Sequence, residues 1–92
     1  IDFTAKWCAT CQINKRVYKN KRLQALFKEK RVELLIADWT NEGPKIQKAI
    51  NDLGKVAIPV NVLYIPGEDE PIILPELLTV KNVTEALNRI SG

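Results

Sequence analysis

The chain of 92 residues contains two cysteines, Cys8 and Cys11, separated by Ala9 and Thr10. Two thiols at this spacing serve as a redox pair, as half of a zinc site or as a structural disulfide, and the spacing alone does not decide. A structural zinc takes about four Cys or His ligands. With two Cys and no His, zinc would need ligands from another molecule or from the rest of a larger protein. A structural bridge here would close a loop too short to restrict the unfolded chain much. The redox reading needs a particular setting, a strand ending just before Cys8 and a helix beginning there. The unpaired amides at the start of a helix carry partial positive charge and stabilise a thiolate. Cys8, at the exposed helix end, is then the nucleophile. Cys11, one turn further on, breaks the mixed disulfide that Cys8 forms with a partner.

The flanking elements supply that setting. Ile1 to Ala5 alternates apolar and polar side chains as a strand does. From Thr10 to Tyr18 and from Lys21 to Lys30, apolar residues recur at helical spacing: Ile13 and Val17, then Leu23, Leu26 and Phe27. Asn20 between them suits a cap and break. Val32 to Asp38 is an apolar run too short for a helix and reads as a strand buried on both faces. A right-handed crossover sets the two strands parallel and makes the carboxyl end of the first a natural place for chemistry, with Cys8 just beyond it. A further helix is expected from Pro44, with Ile46, Ala49, Ile50 and Leu53 on one face and Gly54 as its stop. Val60 to Ile65 and Glu70 to Leu74 flank Pro66-Gly67-Glu68-Asp69 as a hairpin. The last helix, Val80 to Ile90, is capped by Thr79 and turns Val83, Ala86, Leu87 and Ile90 inward. The order is βαβ followed by αββα, an α/β fold with a central mixed four-stranded sheet flanked by helices.

Composition supports one small packed domain spanning residues 1–92, being 46% hydrophobic and 27% charged with few Gly and Pro. No window approaches the roughly 18 apolar residues of a membrane-spanning helix, so the chain reads as soluble. It opens with Ile1 inside a strand and contains no Met, which reads as a domain excised from a longer protein. Eight cations lie between Lys15 and Arg31. They suit a solvated helix face better than a nucleic-acid or anionic-lipid patch, since no glycine-rich phosphate loop or aromatic-basic interleaving accompanies them. No nucleic-acid partner, metal or cofactor is expected.

The run Asp2-Phe3-Thr4-Ala5-Lys6-Trp7-Cys8-Ala9-Thr10-Cys11 resembles the strand-to-active-site segment of the thioredoxin superfamily, and Ile58-Pro59 resembles its cis-proline loop. Three further segments, Ala37-Asp38-Trp39-Thr40-Asn41, Val62-Leu63-Tyr64-Ile65-Pro66-Gly67 and Leu74-Pro75-Glu76-Leu77-Leu78-Thr79, are similar to the carboxy-terminal domain of the thiol:disulfide interchange protein DsbD. The resemblance implies a thioredoxin-like fold and a protein-disulfide reductase that relays electrons through Cys8 and Cys11. It implies a monomeric domain on the periplasmic side of a bacterial inner membrane. The donor would be a membrane-embedded redox domain of the parent protein, and the acceptor a disulfide-bearing protein or domain.

The same resemblance matches Asp2 to a buried carboxylate that assists proton transfer at the second cysteine; the structural alternative is a solvated terminal Asp. It matches Ile58 and a cis Pro59 to a backbone that pairs with an incoming extended peptide, the alternative being a trans proline ending a loop. Trp7 would shield the thiols or contact a partner, unless it merely packs. Lys15 is either an electrostatic aid to a thiolate or a solvated lysine. Two departures stand out: apolar Ile36 falls where thioredoxin pairs its buried Asp with a lysine, and Ala9-Thr10 replaces Gly-Pro. The rival readings are a redox-inert binding module with a thioredoxin-like surface and a cytosolic thioredoxin-type reductant.

Overall fold

The computed structural model describes residues 1–90. Along the chain run β1 (Asp2–Thr4), α1 (Ala9–Tyr18), α2 (Lys21–Glu29), β2 (Ile36–Asp38), α3 (Pro44–Asp52), β3 (Val60–Leu63), β4 (Ile72–Ile73) and α4 (Val80–Leu87). The strands form one mixed sheet in the order β2-β1-β3-β4. β1 pairs parallel with β2 and antiparallel with β3, and β3 pairs antiparallel with β4. This is the α/β order expected from the pattern of elements, and it is consistent with the thioredoxin-like fold that the resemblance implies.

Local chemistry sets the element ends. Asn20 accepts the backbone N–H groups of Arg22 and Leu23 and so separates α1 from α2. Thr79 and Asn82 form a reciprocal capping box at the start of α4. Pro44 opens α3, where its missing N–H costs nothing. Gly54 follows that helix at φ +78°, a left-handed position that a side chain would strain.

Strand alternation then divides the core. Phe3, Val60 and Val62 pack with Trp39 and Ile50, backed by Ile46, Ala49 and Leu53 of the α3 region. On the other side Leu23, Leu78, Val83 and Leu87 join Val17, Leu26, Phe27 and Leu63. Burying a side chain such as Leu23 or Leu87 contributes about 1.5–3 kcal/mol.

Two expectations are corrected. Val32 to Asp38 is not a strand buried on both faces: only Ile36–Asp38 pairs, it lies at the sheet edge, and Leu35 and Ile36 are 52% and 60% exposed. An edge strand has one neighbour, which leaves Leu35 and Ile36 uncovered while Val32 and Ala37 pack against the two cores. Ile13 is also not on the inner face of α1, since it is exposed while Asn14 is fully buried.

Candidate functional site: a cysteine pair at a strand–helix junction

β1 is central, and its carboxyl end delivers the chain to Cys8 through Ala5, which is itself buried. Cys8 is the N-cap of α1, in extended conformation. Its Sγ accepts the backbone N–H of Cys11 at 3.2 Å, the position where an N-cap side chain normally satisfies an unpaired helix amide. Cys8 and Cys11 are joined by a disulfide, with Cα atoms 5.2 Å apart. Cys8 as a residue is 8% exposed and Cys11 is fully buried. Gln12 ties the helix back to the strand by donating its side-chain amide to Ala5 O at 2.9 Å.

Ile58 packs against Ala5, Cys8 and Cys11, and the peptide bond joining it to Pro59 is cis. The sequence-distant residue 58 is thereby brought beside the sulfurs. Trp7 stands half exposed next to Cys8, and its indole N–H donates to Thr40 O at 3.0 Å. Its ring lies 5.9 Å from that of buried Trp39 at an angle of 57°, a tilted aromatic pair. Thr40 receives the Lys6 N–H on its hydroxyl and is held in turn by the Asp38 carboxylate. The hydrogen bonds from Thr40 keep the Asp38 carboxyl below the usual range. Trp39 and Thr40, without an assigned role in the sequence, thus brace Trp7.

Asp2 is 1% exposed and so does not reach solvent, and Lys15 and Tyr18 of α1 lie within electrostatic reach of it. Burial pushes its carboxyl above the usual range, opposed by Lys15, the terminal ammonium and the Asn61 amide. The register puts Ile36 opposite Asp2 on β2, so no lysine reaches Asp2 from that strand.

Sequence reasoning missed Asn14, Thr4 and Asn61, and left Tyr18 without a chemical role. Asn14 Nδ2 donates to Glu76 O at 2.8 Å and its Oδ1 accepts the Leu78 N–H at 2.9 Å. A polar residue at an inward helical position was the available signal. Among the described residues no cluster of three or more His, Cys, Asp or Glu is placed to hold a metal ion. An apolar cavity of about 500 Å³ opens at the opposite end of β1, among Phe27, Val32, Tyr64 and Ile90. Neither cysteine lines it.

A cysteine pair with one member at a helix terminus and the other buried one turn behind it is consistent with thiol–disulfide exchange. A family model described as thioredoxin-like, Thioredoxin_7, matches residues 1–66, from β1 through the end of β3 and including both cysteines and the Ile58-Pro59 bond. No curated protein matches the chain. The match spans well over half the sequence and agrees with the sheet order and the placement of the Cys-x-x-Cys pair, and the chain belongs to the thioredoxin-like family.

Proposed function

We propose that the chain is a thiol:disulfide oxidoreductase domain that reduces a partner disulfide. The observation that carries this reading is the placement of Cys8 as the N-cap of α1, its sulfur facing the Cys11 N–H, with Cys11 fully buried behind it.

In the reduced domain the Cys8 thiolate attacks one sulfur of the partner disulfide. A bond forms between Cys8 Sγ and that sulfur, and the partner's other sulfur leaves as a thiolate. Cys11 then gives up its proton and attacks Cys8 Sγ. The Cys8–Cys11 disulfide closes, the second partner thiolate departs, and protons return to the two partner thiols. Two electrons have moved from the domain to the partner. Because Cys11 has no exposed surface, its proton passes to an internal acceptor, and the buried Asp2 carboxyl, raised by burial, suits that task. Ile58 and Pro59 offer backbone to an extended partner segment beside the sulfurs, and Trp7 supplies apolar contact area next to Cys8.

The segments similar to DsbD support a finer reading. The domain acts on the periplasmic side of a bacterial inner membrane, receives electrons from a membrane-embedded redox domain of its parent protein, and passes them to a further thiol protein. Its potential then lies nearer to about −270 mV than to about −120 mV, the values of a reducing and a strongly oxidising carrier of this fold.

Cys11→Ser tests the core of the proposal. The variant accumulates a Cys8-linked mixed disulfide with a disulfide substrate, visible as a non-reducing gel shift. Normal turnover without Cys11 rules out the two-cysteine mechanism and favours a redox-inert binding module.

A further inference from the structure

The sheet face that meets α1, the helix carrying Cys11, is polar, since Tyr18 of that helix bonds Asn61 of β3. Asp2, Thr4 and Asn61 alternate with Phe3, Val60 and Val62, which belong to the opposite core. The three polar residues are between 1% and 2% exposed. Each keeps one atom, Asp2 Oδ1, Thr4 Oγ1 and Asn61 Nδ2, without a well-aligned hydrogen-bond partner among the described residues, while the Asn61 amide lies near enough to the Asp2 carboxyl to favour its charged form. Burying a polar atom without a partner is costly, so three such atoms on one sheet face call for an explanation, and a role in chemistry is one.

The geometry of the group is specific. Asp2 and Asn61 are direct cross-strand partners. The adjacent pair, Ile1 and Val62, exchanges both of its backbone hydrogen bonds. Asp2 and Asn61 therefore occupy a non-hydrogen-bonded site of the antiparallel ladder, where side chains approach most closely. Tyr18, two turns beyond Cys11 on the same buried side of α1, donates its hydroxyl to Asn61 Oδ1 at 2.6 Å. That bond engages the amide's oxygen and leaves its N–H groups for the carboxyl. Burial and the Asp2 charge both push the Tyr18 phenol upward, so it remains a donor at any ordinary pH.

We propose that Asn61, oriented by Tyr18, is a positioning residue for Asp2, and that the pair stabilises the ionised carboxylate that accepts the Cys11 proton in the resolving step. The inference rests on the reading of Asp2 as that acceptor. The groups around Asp2 are few. The terminal ammonium of Ile1 lies just before β1, Lys15 and Tyr18 on α1, and Asn61 on β3, while β2 presents apolar Ile36 opposite it. Burial favours the neutral acid, which has no capacity to take a proton. The Asn61 amide opposes burial by favouring the charged form. Without it Asp2 stays protonated to higher pH, and resolution by Cys11 waits for that pH.

The test is rapid-mixing kinetics of the whole domain with a quenched-fluorescence disulfide peptide across pH 5 to 9. It separates mixed-disulfide formation by Cys8 from its resolution by Cys11. Asn61→Leu is expected to slow resolution about tenfold on the acid side of the profile, the loss of one hydrogen bond to a charged group. The midpoint moves to higher pH and the rate of attack by Cys8 is unchanged. Tyr18→Phe, which keeps the ring, moves the midpoint in the same direction by less. In an Asp2→Asn background, Asn61→Leu has no further effect. Unmoved midpoints in both single variants, with Asp2→Asn still slow, overturn the role of Asn61 and Tyr18 alone. A normal resolution rate in Asp2→Asn overturns the acceptor reading itself, and this inference with it. Should Asn61→Leu fail to fold, the Tyr18→Phe profile decides.

Discussion

At the scale of single residues, the two cysteines differ by position rather than by kind. Cys8 caps a helix and keeps an 8% opening to solvent, whereas Cys11 has none. Alkylation of the reduced domain is therefore expected to label Cys8 first, read by mass spectrometry after proteolysis; faster labelling of Cys11 reverses the roles. Asp2 carries a second expectation, in stability. Its carboxyl is raised above the ordinary value by burial, so the folded state holds that proton more tightly than the unfolded chain, whose Asp titrates near pH 4 or just below. The resulting stabilisation is complete below the unfolded value and is lost as pH rises through the raised folded one. Asp2→Asn is expected to make the domain more stable than the parent at pH 8 and progressively less so toward pH 3, measured by urea unfolding at each pH. An equal difference at both ends contradicts the burial argument.

At the scale of elements, Asn14 joins α1 to the segment before α4. It lies at an inward position one turn after Cys11 and bonds both Glu76 O and the Leu78 N–H. Asn14→Ala strands these groups, and leaving a buried polar group unpartnered costs roughly 1–3 kcal/mol. Urea unfolding should show a loss of that size. A loss under about 0.5 kcal/mol, typical of a neutral surface change, indicates that the link is not made. The loop after β2 is a similar brace, since Thr40 meets both Lys6 and Trp7. Both devices tie down the backbone that flanks the cysteine pair, on α1 and on the segment before it.

At the scale of the whole molecule, charge is unevenly spread. Eight Lys and Arg occupy residues 15 to 31, with Glu29 the single acid among them. Among the described residues one ion pair forms, Lys48 with Asp52, and it lies on α3. The cations of α1 and α2 therefore repel one another without local compensation. Salt screens such repulsion, with a Debye length of about 8 Å at 0.15 M against about 30 Å at 0.01 M. The thermal midpoint is expected to rise between these two salt concentrations, and replacing Arg16 and Lys19 by Glu is expected to flatten the rise. A midpoint that falls with added salt contradicts the repulsion argument.

The sequence by itself determined the features that depend on neighbours along the chain. Asn20 and Thr79 announce helix starts because their side chains reach amides two or three residues on. Pro44 and Gly54 bracket α3 through their own backbone preferences. The Cys8–Cys11 site was legible because a strand end, a helix start and two thiols fall within eleven residues. Tertiary structure alone decided which apolar run lies at the edge and which polar residue lies inside. Val32 to Asp38 has the composition of a central strand, but its place depends on the pairing order of the whole sheet, and it ends beside β1 alone. Asn14 rather than Ile13 turns inward because its partners, Glu76 and Leu78, lie 62 and 64 residues away. Tyr18 and Asn61 meet across 43 residues. Contacts at such separations leave no periodic trace in the sequence, since the energy that selects them exists only once the sheet and helices have closed around them.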